Sequence, residues 1–139
     1  IGAGLASAFA AQGCHIAVNY PDTSAQSAAE NIVNAINSNG GNAITVQADV
    51  SRSDEVAAMM DATLTHFGKL DILVNNAGIA RSAPVQDISE ADWDMVMAVH
   101  IKGTFLCTRA ALPHMQGFKN LGSRSWNNSR VRREGTHSS

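Results

Sequence analysis

Cysteine is scarce: Cys14 and Cys107 stand alone in 139 residues. Two isolated thiols build neither a disulfide framework nor a zinc ligand set, so no metal site is expected. They read as small packed thiols of a reducing compartment, which places the protein in the cytoplasm. Charge is scarce too, at 16% of residues, which is low for a disordered chain. Hydrophobic residues at 45% are enough to build a core. A formal net charge of -2 gives no attraction for nucleic acid or an anionic membrane, and neither is expected as a partner. No apolar run approaches the roughly 20 residues of a membrane span. No basic-then-apolar leader opens the sequence. The length suits one ordinary domain and not two.

What is present is periodic. Residues 1–5 (IGAGL) run into an alanine-rich helical pattern that ends near Gln12, with Gly13 as its stop. Residues 15–20 (HIAVNY) form a short strand bounded by Gly13 and Pro21. Asp22, Thr23 and Ser24 offer a cap to a helix with Ala29, Ile32, Val33 and Ile36 on one face, and Asn39-Gly40-Gly41 end it. Residues 43–46 (AITV) are the next strand. Ser51 with Asp54, or Ser53 alone, caps a helix carrying Val56, Met60, Leu64 and Phe67, which Gly68 stops. Residues 70–74 (LDILV) read as a third strand, apolar enough for burial on both faces of a parallel sheet. Ser89 with Asp92 opens a long helix through Trp93, Val96, Met97, Ile101 and Leu106, closed by Pro113. There are no internal repeats.

Strands alternating with helices of this length are βαβ units, hence an α/β doubly wound parallel sheet. By itself that pattern specifies no function. It covers residues 1–115. Residues 116–139 are an atypical polar and basic tail. Its last part, residues 124–139 (RSWNNSRVRREGTHSS), holds four of the ten basic residues and reads as exposed or disordered. One short arginine cluster with only Trp126 nearby falls short of a nucleic-acid-binding arm.

Residues 71–78 (DILVNNAG) are more specific. A buried strand ending in Asn75-Asn76-Ala77-Gly78 closely resembles the signature of the short-chain dehydrogenase/reductase family, whose domain is Rossmann-like. At the carboxyl end of a parallel strand, ligands sit in the crevice, and small residues let a cofactor approach the backbone. One Asn can tie neighbouring strands together while the other contacts a ribose. Ile1-Gly2 resembles the last two residues of the family's Gly-x-x-x-Gly-Ile-Gly loop. That loop wraps a pyrophosphate at a helix N-terminus, where unpaired N–H groups favour an anion. Asp49-Val50 stands where the family hydrogen-bonds the adenine amino group. Trp93 and Val99-His100-Ile101-Lys102-Gly103 resemble its long interface helix.

The resemblance covers roughly residues 1 to 115 and points to the subgroup of 3-oxoacyl-ACP reductases and glucose dehydrogenases. It implies an NAD(P)-dependent oxidoreductase that reduces carbonyls or oxidises secondary alcohols by hydride transfer. It implies cofactor contacts from Ile1, Gly2, Tyr20, Asp49, Val50, Asn76, Ala77 and Gly78. For the complete parent it implies a small-molecule carbonyl or alcohol substrate and a homodimer or homotetramer. Duller readings stay open: Asp49 as a local cap, Asn75 as purely structural, Gly2 and Gly4 as helix-start glycines.

Cofactor choice turns on Tyr20, 18 residues beyond Gly2. An acid there would accept from the ribose 2′-OH of NAD and repel a 2′-phosphate. Its absence favours NADP(H) over NAD(H). In the family a tyrosine, with its pKa lowered by a lysine, is the general acid/base. A serine orients the substrate and an asparagine holds a relay water. His100 occupies the asparagine position, either holding a water or packing on the stripe of Trp93, Met97 and Ile101. The serine position falls near Ser129. Aligning Ser123-Arg124 with the family's Gly-Arg step puts Arg130 at that position, with Ser129 beside it. Residues 125–129 (SWNNS) are too polar for a buried central strand. Tyr20 is the only tyrosine, so the catalytic tyrosine and lysine are expected to lie beyond Ser139.

The family's first strand, at the centre of the sheet, is likewise expected before Ile1. Without it the sheet exposes long edges, and the isolated chain is expected to be unstable and inactive. Residues 133–139 suit the loop after the serine strand better than 125–132 suit the strand, a pattern of a reading-frame or splicing error or of a natural tail. A second function class is a non-catalytic nucleotide-binding or interaction protein derived from this fold. A phospho-acceptor domain would need acidic residues at the strand ends, which Asn75-Asn76-Ala77-Gly78 does not supply.

Overall fold

The computed structural model describes residues 1–115. Helix α1 (Gly2–Ala11) turns at Gly13, where a φ of +84° suits only glycine, into strand β1 (Ile16–Tyr20). Helix α2 (Thr23–Ser38) follows, capped as its sequence indicates: the Asp22 carboxylate accepts from the Ser24 N–H at 2.8 Å. The Ser24 hydroxyl and then its N–H hold the Asp22 carboxyl below the usual carboxylate range. Strand β2 (Ala43–Gln47) pairs parallel with β1, with Ile16 opposite Ala43 and Tyr20 opposite Gln47. Helix α3 (Ser53–Phe67) ends at Gly68, also left-handed. A 3₁₀ turn (Val85–Asp87) precedes helix α4 (Glu90–Met97), whose cap Ser89 accepts from the Asp92 N–H.

Side chains alternate across the sheet, so helices cover both of its faces. On one side Val33, Ile36 and Ala43 pack with Ala6, Ala10, Ile16 and Val18 from α1 and β1. On the other, Ala48, Val50, Val56, Met59, Met60, Leu106, Cys107 and Ala111 form the larger core, with Val46 against it. This is the expected doubly wound layering, built on two paired strands among the described residues.

Residues 70–74 depart from expectation. Among the described residues they form no strand, and their one ladder contact is a parallel bridge between Leu70 and Met115. A strand exists only within a ladder, and a cleft separates this segment from β1. Ile72 and Val74 are therefore 51% and 47% exposed instead of buried. The α3 cap also differs. Arg52 is the N-cap residue and makes no side-chain cap bond. The Ser51 hydroxyl is already given to Asp49, and Ser53 is the first helical residue. Asp54, in that first turn, is held below its usual pKa chiefly by its own backbone N–H and then by Arg52.

The long helix is not uniform. After α4 it opens into a π-helical segment (Ala98–Lys102), then continues as α5 (Gly103–Ala111) and a 3₁₀ turn (Leu112–His114) containing Pro113. The wider π turn takes up about one extra residue, rotating the rest of the helix by roughly 100°. The expected stripe of Trp93, Met97 and Ile101 therefore faces outward, with Trp93 58% and Ile101 61% exposed. Gly103, Leu106, Cys107 and Ala111 provide the buried face against α3. One 18-residue window of the helical stretch Glu90–His114 has a mean hydropathy of 1.2, enough by length and composition alone to cross a membrane. Core helices of globular folds also pass that test, and Leu106, Cys107 and Ala111 of this one are buried against α3.

Residues 71–84 lack both helix and ladder, and Arg81 within them is exposed. Limited trypsin digestion followed by mass spectrometry is expected to cut after Arg81 before Lys102 or Arg109, because helical backbone must open first. Earlier cleavage at Arg109 would contradict this arrangement.

Candidate nucleotide site

A cleft of about 900 Å³ runs between the edge of β1 that is unpaired among the described residues and residues 70–79. Gly2, Asn19, Asp49, Val50, Asn76 and Gly78 are among its walls. Three glycines make this convergence tight. A Cβ on Gly2 would lie 2.6 Å from Asn76 Nδ2. One on Gly78 would lie 2.6 Å from His100 Cε1, and one on Gly103 would lie 2.7 Å from Val50 Cγ2. Segments 74 residues apart in sequence (Gly2 and Asn76) are thus joined by close approach that only a missing side chain permits.

Each wall has its own anchor. The Asn75 amide donates to Thr108 Oγ1 at 3.1 Å, tying the turn to α5. Asn75 is therefore a tether here, while Asn76 faces Gly2. Asn19, in the middle of an otherwise apolar run, donates to Val46 O at 3.2 Å and to Ala48 O at 3.0 Å. Together with Ala48 N donating to Tyr20 O, it welds the ends of β1 and β2. Sequence reasoning misses Asn19, although a lone amide inside HIAVNY is the signal that would reveal such a clamp. Asp49 Oδ1 accepts from both the Ser51 N–H and hydroxyl, and Glu55 accepts from the Asp49 N–H at 2.7 Å. The Asp49 carboxylate thus closes a turn onto Ser51 ahead of α3, without capping the helix itself, and that turn fixes it at the cleft wall.

Other expected site residues are placed differently. Ile1 is fully exposed, and Tyr20 is not among the cleft walls, which Asn19 and Pro21 supply on that side. His100 is exposed at the rim, touching Gly78 and Ile79 from the π segment, and is not packed in a stripe. Ser129 and Arg130 lie outside the described residues.

Ile1 makes no side-chain cap bond to the first turn of α1, and helix starts of this kind can bind an anion through their N–H groups. That and the glycine approaches fit a dinucleotide. At the other end of the cleft, the exposed Asp71 carboxylate lies 2.8 Å from Lys69 and raises its pKa. Burial pushes the Cys107 thiol up, leaving it protonated and unreactive. Among the described residues no three metal-ligating side chains come together.

A family model described as Enoyl-(Acyl carrier protein) reductase matches residues 1–124. A solved short-chain dehydrogenase/reductase of Serratia marcescens superposes with a TM-score of 0.75 at 28% identity, covering 82% of this chain and 46% of that one. The chain belongs to the short-chain dehydrogenase/reductase family. It is 44% identical over 110 residues to the 3-oxoacyl-[acyl-carrier-protein] reductase of Synechocystis sp., covering 79% of this chain and 44% of the relative. It is 40% identical over 116 residues to glucose 1-dehydrogenase 2 of Bacillus subtilis, covering 83% and 44%. The chain thus spans less than half the length of these relatives.

Proposed function

We propose that this chain is the cofactor-binding part of an NAD(P)-dependent oxidoreductase that reduces carbonyls or oxidises secondary alcohols. The observation that carries the reading is the meeting of Gly2, Asp49-Val50 and Asn76-Ala77-Gly78 around one cleft. The bound dinucleotide supplies the hydride. The uncapped first turn of α1, with Gly2, holds its pyrophosphate. Asp49, its carboxylate pinned by Ser51, and Val50 recognise the adenine end. Asn76, Ala77 and Gly78 admit the ribose against bare backbone, and Asn75 keeps that turn on α5. The proton-transfer tyrosine and lysine are not in this part, and Ser129 stands near the serine position.

NADP(H) is the preferred form, because Tyr20, at the carboxyl end of β1 between the cleft-lining Asn19 and Pro21, replaces the acid that would repel a 2′-phosphate. The complete protein works on a small molecule in the cytoplasm as a homodimer or homotetramer. The outward row of Trp93, Ile101 and Phe105 supports the assembly.

Titration with NADPH and NADH, read as thermal stabilisation, tests the reading. A ligand that binds only the folded state adds about 2.7 kcal/mol at a hundred times its Kd, so even a marginal fold responds. NADPH is expected to bind at least tenfold more tightly than NADH, and Tyr20→Asp is expected to reverse the order. Absence of response to either nucleotide would favour an interaction protein that has lost the cofactor.

A further inference from the structure

We infer that Glu55 is a positioning residue: by holding the Asp49 backbone it sets that aspartate to present one acceptor, Oδ2, to the amino group of adenine. Glu55 is the third residue of α3, where a glutamate ordinarily reaches back to the N–H of the helix cap. Here the cap is Arg52, and its N–H is already given to Asp49 O at 3.0 Å. Glu55 Oε2 accepts instead from the Asp49 N–H at 2.7 Å, six residues back in the chain. Asp49 Oδ1 is also taken, by the Ser51 N–H at 2.9 Å and the Ser51 hydroxyl at 2.8 Å.

Asp49 is therefore held at its N–H, its carbonyl and one carboxylate oxygen. Among the described residues Oδ2 makes no hydrogen bond. On either side Ala48 and Val50 are buried in the larger core, while Asp49 is half-buried on the cleft wall. An ionised carboxylate only accepts, so the group that suits Oδ2 is a donor. The exocyclic amino group of adenine is such a donor. Hypoxanthine carries a carbonyl oxygen in its place, and two acceptors facing each other repel. The inference rests on the proposed function in taking this wall as the adenine end of the cleft.

Two carboxylates gathered on one stretch of backbone repel each other. Arg52 offsets that repulsion: its Nε lies 2.6 Å from Glu55 Oε1, and its Nη2 lies 3.4 Å from Asp54 Oδ2. The guanidinium holds one oxygen of Glu55 and so aims the other at the Asp49 N–H. A backbone N–H bonds an ionised oxygen about twice as strongly as a neutral one, which suits Glu55 to the task. The order of action is Arg52 on Glu55, Glu55 on Asp49, and Asp49 on the base.

The test uses the full 139-residue chain and two probes, NADPH and its hypoxanthine analogue, with binding read as thermal stabilisation. The unmodified chain is expected to prefer NADPH by about tenfold or more, the worth of one hydrogen bond to a charged group. Glu55→Ala is expected to cut that preference by about threefold or more, by weakening NADPH while leaving the analogue unchanged. Glu55→Gln, whose amide oxygen still accepts, is expected to keep it. In an Asp49→Ala background the same Glu55→Ala change is expected to alter the preference no further, because Glu55 acts through Asp49. A residue that only supports the fold weakens both nucleotides alike, and that result overturns the inference. So does an unmodified chain that binds both probes equally; in both cases the cofactor reading stands. An unmodified chain that binds neither probe overturns the cofactor reading and this inference with it. If Glu55→Ala unfolds, seen as lost amide protection at Val56 in the core, Arg52→Ala decides. A preference cut by about threefold or more then supports the inference, and any smaller change overturns it.

Discussion

Purified as 139 residues, the chain is expected to consume no NADPH with any ketone and to melt broadly at a low midpoint. Hydride transfer to a carbonyl leaves an alkoxide that must take a proton, and a positioned general acid contributes about 10²–10⁴ in rate. The family's acid is a tyrosine, and the one tyrosine here, Tyr20, ends β1 outside the cleft walls. His100, the nearest alternative, already has Nε2 at Ile79. The stability half of the expectation rests on the β1 edge, unpaired among the described residues and facing a cleft whose far wall exposes Ile72 and Val74. Joining the chain, in frame after residue 115, to the second half of the Synechocystis relative and supplying an apolar strand before Ile1 is expected to bring turnover at least a hundredfold above background. Turnover by the unextended chain would show that its own side chains contain a proton donor and would sink the assignment of roles.

Much of this was legible because its determinants are local. The Asp22 cap, the left-handed Gly13, Gly40 and Gly68, and the Ser89–Asp92 cap each depend on residues within a few positions. The apolar face Ala29, Val33 and Ile36 follows from helical period alone, and all three are buried. What was not legible depends on partners far away. Residues 70–74 have strand composition, yet a strand is made by its neighbour, and among the described residues only Met115 pairs with them, at Leu70. The outward turn of Trp93 and Ile101 follows from the π segment, and nothing in AVHIK marks that segment against an ordinary helix. At the site, Asn75-Asn76-Ala77-Gly78 was recognisable as a motif. Its division of labour was not: Asn75 reaches Thr108 and Asn76 meets Gly2 only in three dimensions. Asp49 shows the reverse, since its bond to Ser51 was one of two readings a local pattern allowed.

Replacing Gly2 by valine is expected to weaken NADPH binding at least a hundredfold, a loss of about 2.8 kcal/mol since each tenfold step is about 1.4. The Cβ position is 2.6 Å from Asn76 Nδ2, far inside contact distance, so a branched side chain must push Asn76 or the start of α1 aside. Either movement strikes the cofactor site twice. Displacing Asn76 disturbs the turn that admits the ribose, and displacing α1 carries its uncapped first-turn N–H groups away from the pyrophosphate. Gly4→Ala is the matched control. A Cβ there meets nothing within 4 Å, and alanine favours the helix over glycine by about 1 kcal/mol. That variant is expected to bind NADPH within twofold of the unmodified chain and to be more stable. Equal losses from the two substitutions would mean that α1 needs its glycines for flexibility alone, and the pyrophosphate site would have to be sought elsewhere along the cleft. A loss confined to Gly2 ties the anion site to the one place where the helix start and the Asn76 turn touch.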